Sequence, residues 1–188
     1  VCDFAYQGLG DGVEEDAAGV RNLINELDNL IICSSYSKNF GLYSERVGCL
    51  IYHTKNLNNY SAVQSNFKKV ARTIYSNPPS HGSDIVKTIL SDEFLRKLWI
   101  ENLDAAKNRI IDMRESLINN LINENCSRNF DFIADQKGMF SFTGLTENEV
   151  AQLKEKFSIY IVKSGRINVA GITSGNVKYI AKAIAGVI

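Results

Sequence analysis

The stretch of residues 34–48 holds the side chains most able to do chemistry. Lys38 stands among serine hydroxyls, aromatic and glycine-rich chain follows it, and Arg46 lies eight positions further on. Burial and neighbouring positive charge lower the pKa of a lysine amine, which leaves it neutral and nucleophilic near neutral pH. Hydroxyls such as those of Ser35 and Ser37, and the planar fork of an arginine, bind phosphate oxygens. The stretch is typical of a buried reactive amine beside a phosphate site.

Asp3 and Arg166 each stand within or between apolar runs. A buried charge is costly unless an opposite charge or a strong hydrogen bond satisfies it. Asp3 therefore suits a cationic partner such as a protonated ring nitrogen, and Arg166 suits an anion. Taken singly, however, Lys38 is more often a solvated loop lysine, Arg46 a surface charge and Asp3 an acid at a strand edge or turn.

The order Ser-x-x-Lys-x-x-Gly-Leu, with Arg46 eight residues after Lys38, closely resembles the lysine segment of the class I pyridoxal-phosphate aminotransferases. Within that family the chain looks most like the aspartate aminotransferases. The resemblance implies that Lys38 forms a Schiff base with pyridoxal 5'-phosphate and later moves a proton at the substrate α-carbon. It also implies that Ser35 and Arg46 bind the cofactor phosphate.

Four other segments resemble the same family and imply further roles. Asp-x-Ala-Tyr-Gln-Gly, from Asp3, implies that Asp3 holds the ring nitrogen and that Tyr6 bonds the phenolic oxygen of the ring. Ser-Gly-Arg-x-Asn-x-Ala-Gly implies that Arg166 binds the α-carboxylate of the substrate. Arg-x-x-Tyr-Ser-Asn-Pro-Pro implies that Arg72 crosses a homodimer interface to the distal carboxylate of a substrate in the partner, although alone it would be a solvent-facing helix arginine. Gly-Met-Phe-Ser-Phe implies that Phe140 lines the substrate pocket, with simple packing as the alternative.

Composition indicates a globular protein. The chain has 188 residues, 45% hydrophobic and 22% charged, with zero formal net charge. A net charge of zero does not indicate binding to nucleic acid or to an anionic membrane surface. No apolar run approaches the roughly 20 residues that span a bilayer. His53 and His81 are too few and too scattered for a metal cluster, so no metal is expected.

The four cysteines show no Cys-x-x-Cys pair. This favours free buried thiols in a reducing compartment over disulfides or a zinc site. A cytoplasmic location is the default expectation, with an organelle left open. Because Val1 enters an apolar segment directly, the chain is expected to be the C-terminal part of a longer protein.

Hydrophobic periodicity predicts alternating helices and short strands, an α/β pattern. Ser80 is expected to cap a short helix, Thr146 and Glu149 to form a capping box, and Trp99 to lie in the core. Helices are predicted over residues 14–27, 57–75, 92–124, 146–157 and 173–188. Strands are predicted in residues 1–8, 30–33, 47–52 and 159–162, with a strand, turn and strand over 130–142.

The helix predicted over residues 92–124 is long for a globular protein and is interpreted as a bridge between two domains. The boundary is placed near Ala106. Residues 1–105 are then the C-terminal part of a large cofactor domain, and residues 106–188 the C-terminal part of a small domain, of a fold-type I transferase.

The resemblance implies an aspartate aminotransferase, which transfers an amino group reversibly from L-aspartate to 2-oxoglutarate and gives oxaloacetate and L-glutamate. Two alternatives stay open. One is an aromatic or broad-range aminotransferase with the same two arginines. The other is an inactive fragment or binding module derived from such an enzyme.

Overall fold

The computed structural model describes all 188 residues, which form two compact units. The first unit contains Val1–Gly8 and Gly12–Leu103, and the second contains Leu9–Asp11 and Asp104–Ile188. No helix combines the length and the apolar character that crossing a membrane requires.

The first unit is built on a three-stranded sheet. Strand β1 (Cys2–Phe4) runs parallel to β2 (Asn29–Ser35), and β2 pairs in antiparallel fashion with β3 (Gly48–Thr54). Helix α1 (Ala18–Glu26) lies in the connection between β1 and β2, as a parallel pair requires a crossover. Leu30 and Ile32 are buried on one face of β2 and anchor the sheet.

Two further helices and the first part of a third complete this unit. A 3₁₀ turn (Leu57–Asn59) leads into α2 (Tyr60–Tyr75), and α3 (His81–Ser91) precedes α4 (Glu93–Asn123). Helix α2 ends at Tyr75, where Ser76 takes a positive φ of 65° ahead of the two prolines. None of the side chains of α1 or α2 is fully buried.

The second unit has a denser core. Beyond the rest of α4 it contains β4 (Phe140–Phe142), α5 (Glu147–Phe157), β5 (Arg166–Asn168) and α6 (Val177–Ala185). Strands β4 and β5 form an antiparallel pair in which Ser141 faces Ile167. Fully buried side chains from the helices and from the turn segments make up this core: Leu117, Leu121, Ile133, Leu153, Val169 and Ile184.

Helix α4 is one continuous helix of 31 residues. It begins and ends within one residue of the bounds predicted from periodicity. The Asp92 side chain accepts a hydrogen bond from the Leu95 backbone N–H at 2.8 Å, which satisfies one of the free donors at the start of the helix.

Two predicted strands are wrong. Residues 130–133 contain a 3₁₀ turn (Asp131–Ile133), because the Asn129 side chain accepts a 2.6 Å hydrogen bond from the Asp131 N–H and starts a tight turn. Residues 159–162 form no strand either, and the strand of this region is β5, a few residues later. β-branched residues favour a strand only where a neighbouring strand pairs with them.

Helix starts also differ from the sequence prediction. Helices α1 and α6 begin four residues later than predicted, α6 because Thr173 and Asn176 first exchange side-chain hydrogen bonds with each other's backbone N–H groups. Ser80 precedes α3, but its side chain makes no capping hydrogen bond, so that prediction is wrong. The capping box of Thr146 and Glu149 at the start of α5 is confirmed.

The four cysteines are free thiols, but they are not buried. Cys33 and Cys49 are exposed, and Cys2 and Cys126 are partly exposed. Cys33 and Cys49 lie on neighbouring strands of a sheet whose two faces are incompletely covered, which explains their exposure.

Candidate functional site

Two parallel strands bring Lys38 to Tyr6. Strands β1 and β2 end at Phe4 and Ser35, and their carboxyl ends lie at the same edge of the sheet because the strands are parallel. Tyr6 follows the first strand by two residues, and Lys38 follows the second by three. The Lys38 Nζ lies over the Tyr6 ring, 4.6 Å from its centroid. An amine and a phenol thus share the edge where α/β proteins place their ligands.

Hydrogen bonds and ring stacking hold the loop that carries Lys38. The Asn39 side chain donates to the Gln7 carbonyl at 3.2 Å, and the Asn39 carbonyl accepts a 2.7 Å hydrogen bond from the Trp99 indole. The Trp99 ring stacks on Phe40 with centroids 4.7 Å apart. The two residues that follow Lys38 are therefore fixed to Gln7, just after β1, and to Trp99 of α4, which limits where the amine can point.

Serine hydroxyls lie directly before Lys38. The Ser35 Oγ donates to the Ser37 Oγ at 3.2 Å and accepts from the Ser37 backbone N–H at 3.3 Å. Ser37 is buried, and Ser35 is partly exposed. These two bonds hold the hydroxyls of Ser35 and Ser37 close together. Serine hydroxyls are donors of the kind that binds phosphate oxygens.

Arg46 lies after this loop with an exposed side chain and a positive φ of 51°. Its Nη1 donates to the Tyr43 carbonyl at 3.0 Å. The remaining guanidinium donors face solvent, so the side chain can offer them to an anion.

Two expectations about burial are wrong. Lys38 is only partly buried, and Asp3 is exposed in the middle of β1. Asp3 pairs with Cys33, so its side chain lies on the same face of the sheet as Cys33 and, two residues along, Ser35. Cys33 and Leu50, which pair across β2 and β3, are exposed on this face too, which leaves the Asp3 carboxylate accessible to a ligand.

Arg72 lies in the last turn of α2 and is exposed. Its carbonyl accepts the hydrogen bond from the Ser76 N–H that closes the helix. The Arg72 side chain lies on the surface of the first unit.

Arg166 and Phe140 come together in the second unit. The Arg166 Cζ lies over the Phe140 ring, 4.8 Å from its centroid, a distance typical of a cation–π contact. Phe142 faces Arg166 and Phe140 faces Asn168 in the β4–β5 pair, so these residues share one face of the ribbon. Arg166 is exposed, which disagrees with the expectation that its guanidinium is enclosed between apolar runs.

Sequence reasoning missed the side chains that support these positions. It placed Trp99 in the core, although Trp99 is only partly buried and bonds the loop of Lys38. It also passed over Arg114, which is buried in the second unit. A signal existed for Arg114, because it stands four residues after Ile110 and three before Leu117, on the apolar stripe of α4.

Comparison with known proteins shows the family to which the chain belongs. Residues 1–184 match the family model described as "Aminotransferase class I and II". The chain belongs to this aminotransferase family. It is 46% identical over 186 residues to the aspartate aminotransferase of Salmonella typhi. This match covers 99% of this chain and 47% of that protein. It is also 43% identical to the aromatic-amino-acid aminotransferase of Pseudomonas aeruginosa, over 98% of this chain and 46% of that protein.

A solved structure of the family agrees with the fold. The aromatic-amino-acid aminotransferase of Burkholderia pseudomallei, covalently bound to pyridoxal phosphate, superposes with a TM-score of 0.94 at 44% identity. The match covers 98% of this chain and 46% of that one. The predicted α/β fold class and family are therefore confirmed, and the chain spans about half the length of the curated relatives it matches.

Proposed function

We propose that this chain provides the cofactor lysine and the substrate arginines of an aspartate aminotransferase. The reaction is the reversible transfer of an amino group between L-aspartate and 2-oxoglutarate, which gives oxaloacetate and L-glutamate. The observation that carries the proposal is the meeting of Lys38 and Tyr6 at the carboxyl edge of two parallel strands. Membership of the family and the aspartate aminotransferases among the relatives support it.

The donor set of the first unit fits pyridoxal 5'-phosphate. Lys38 offers an amine, Asp3 an accessible carboxylate, and Tyr6 a phenol. Ser35 and Arg46 offer a hydroxyl and guanidinium donors for a phosphate. The same cofactor is covalently bound in the Burkholderia pseudomallei relative. When bound, pyridoxal phosphate supplies an aldehyde that reacts with amines and a ring that accepts electrons from the substrate.

The residues of this chain then bind the cofactor and move the proton. Lys38 takes and returns a proton at the substrate α-carbon as a general base and acid. Asp3 keeps the ring nitrogen protonated, and Tyr6 donates to the phenolic oxygen. Ser35 and Arg46 fix the phosphate. Arg46 must turn part of its fork away from the Tyr43 carbonyl, or use the donors that already face solvent.

Substrate selection falls to Arg166, Arg72 and Phe140. Arg166 would bind the α-carboxylate through its planar fork, with the Phe140 ring supporting the guanidinium. Arg72 would bind the distal carboxylate of a substrate held by a second copy of the chain, which makes the active form a homodimer. Two carboxylate contacts would fix the α-carbon for loss of its proton.

We propose in the same way that the first unit is the C-terminal part of a large cofactor domain. The second unit would be the C-terminal part of a small domain, with α4 shared between them. The location proposed for the protein is the cytoplasm, which fluorescence microscopy of a tagged protein would test.

The decisive experiment is the visible absorption spectrum of the purified protein with pyridoxal phosphate, before and after L-aspartate. The wild-type chain should show a cofactor band that differs from that of free pyridoxal phosphate, stays with the protein on gel filtration and is bleached by aspartate. Lys38→Ala should lose the band, and Lys38→Arg should lose it as well while keeping a cation near Tyr6. Unchanged transamination by either variant would contradict the role of Lys38, and a folded wild-type chain without any band would favour the inactive binding module.

A broader substrate range is the second candidate, because an aromatic-amino-acid aminotransferase is among the relatives. The same bleaching assay with L-phenylalanine separates the two. An aspartate enzyme should bleach slowly with phenylalanine, whereas comparable rates with both amino acids would favour the aromatic or broad-range reading.

A further inference from the structure

Arg114 is a charged residue inside the second unit. Its side chain lies on α4 and is 3% exposed. Its Nε donates to the Ser141 Oγ at 3.1 Å, and its Nη2 donates to the Gly138 carbonyl at 2.5 Å. Both acceptors are uncharged, and burial lowers the pKa of Arg114. A guanidinium in such a place costs free energy, which its two directed hydrogen bonds offset in part.

The two acceptors flank Phe140 in the sequence. Gly138 has a positive φ of 80° and turns the chain into β4, and Ser141 is the central residue of that strand. Ser141 points to the buried face of the β4–β5 ribbon, where it is 1% exposed. Side chains alternate along a strand, so Phe140 points to the opposite face. Arg114 therefore binds the chain from the buried face of the ribbon, at Gly138 just before β4 and at Ser141 within it, on both sides of Phe140.

The opposite face of the β4–β5 ribbon holds the contact between Arg166 and Phe140, the two residues of this unit that are proposed to bind the substrate. Arg166, on β5, lies over the Phe140 ring at 4.8 Å. The neighbouring backbone bond, from the Val169 N–H to the Met139 carbonyl at 2.8 Å, ties the ends of the two strands together. A shift of β4 would move the Phe140 ring relative to Arg166, because the ring is attached to that strand and its position follows the strand register.

We propose that Arg114 is a positioning residue that aims Arg166 at its carboxylate ligand by fixing Phe140 beneath it. The inference rests on the proposed role of Arg166. An arginine suits this role better than a lysine, because its rigid guanidinium donates to the Ser141 hydroxyl and the Gly138 carbonyl at the same time. Two bonds at separate points fix both the position and the orientation of β4 relative to α4. Arg114 itself does not touch the ligand.

The first test is NMR of the full chain without ligand. A ring shields protons above its face, so the Arg166 side-chain resonances should be shifted upfield, and Phe140→Leu should abolish that shift. Arg114→Lys and Ser141→Ala should reduce the shift, because each removes part of the support behind β4. Arg128→Lys is the matched control, since Arg128 is also a structural arginine of this unit but bonds Glu149 and the Gly144 carbonyl.

The second test is the affinity for succinate, an unreactive dicarboxylate, measured by calorimetry. Arg114→Lys should weaken binding by about tenfold, the scale of one misdirected charge-assisted contact, and Arg128→Lys should not. Folding of each variant is checked by thermal melting. If Arg114→Lys does not fold, Ser141→Ala decides the matter, because it removes a single hydrogen bond.

The outcomes separate the two claims. A folded Arg114→Lys or Ser141→Ala variant that keeps the wild-type upfield shift would overturn the positioning role. Succinate binding that survives Arg166→Ala would instead contradict the carboxylate role of Arg166, whatever Arg114 does. If the wild-type chain binds no succinate, the resonance shifts alone decide whether Arg114 positions Phe140 and Arg166.

Discussion

The carboxylate of Asp3 is exposed on the face of the sheet that also carries Ser35. Because the side chain is exposed, replacing it should change function more than stability. Asp3→Asn keeps the shape and removes the charge that would hold a protonated ring nitrogen. We expect the affinity for pyridoxal phosphate to fall by at least about tenfold, with the free energy of unfolding changed by no more than about 0.5 kcal/mol.

Cofactor titration by absorbance and thermal melting measure these two quantities. Asp28→Asn is a suitable control, because Asp28 is an exposed acid of the same unit that pairs with Lys55 on the surface. Surface pairs contribute little to stability. An Asp3→Asn variant that binds the cofactor as tightly as wild type would argue against the proposed contact with the ring nitrogen.

Helix α5 depends on the side chains at its start. The Thr146 Oγ1 accepts from the Glu149 N–H, and Glu149 accepts from the Thr146 N–H and from Arg128. The hydrogen bond from Arg128, helped by the one from Thr146, holds the pKa of the Glu149 carboxyl below its usual value despite partial burial. A carboxyl with a lowered pKa in the folded state stabilises that state above its unfolded pKa, and the gain disappears as the pH falls through the folded pKa.

Glu149→Gln should therefore lower the free energy of unfolding near pH 7, by about 1 kcal/mol or more, because it removes a charge-assisted pair and weakens the cap. The difference from wild type should shrink as the pH falls through the lowered pKa of the folded state, because the wild-type carboxyl is then protonated as well. Urea unfolding over a descending pH series measures it. Glu147→Gln, in the same first turn, is the control, and a difference that does not depend on pH would contradict the assignment.

The whole molecule is proposed to be a homodimer in which each site uses Lys38 of one copy and Arg72 of the other. Mixing the Lys38→Ala and Arg72→Ala chains by co-refolding should then restore activity, because a mixed dimer contains one intact site. Random association makes half of the dimers mixed, so about a quarter of the wild-type transaminase activity should return. Activity with aspartate and 2-oxoglutarate measures it.

The combination of Lys38→Ala with Arg166→Ala is the matched control. Arg166 is proposed to serve the site of its own chain, so no mixed dimer of these two variants has an intact site, and activity should stay absent. Rescue in this second mixture, or none in the first, would contradict the proposed division of residues between the copies.

The sequence alone determined the elements with strong local signals. The stripe of α4 predicts a long helix, because apolar residues recur at helical spacing over many turns, and the structure has that helix at Glu93–Asn123. The capping box of Thr146 and Glu149 is equally local. The family follows from the motif around Lys38, since residue types and their order are properties of the sequence itself.

Other features were decided only by tertiary structure. The run at residues 159–162 has high β-propensity, yet β4 pairs with Arg166–Asn168, and no local signal tells a chain which segment finds a partner strand. The exposure of Asp3 and the burial of Arg114 likewise depend on what packs over each face. Periodicity shows which side chains share a face, but burial and hydrogen-bond partners come from segments distant in sequence, and these determine where Lys38 and Arg166 point.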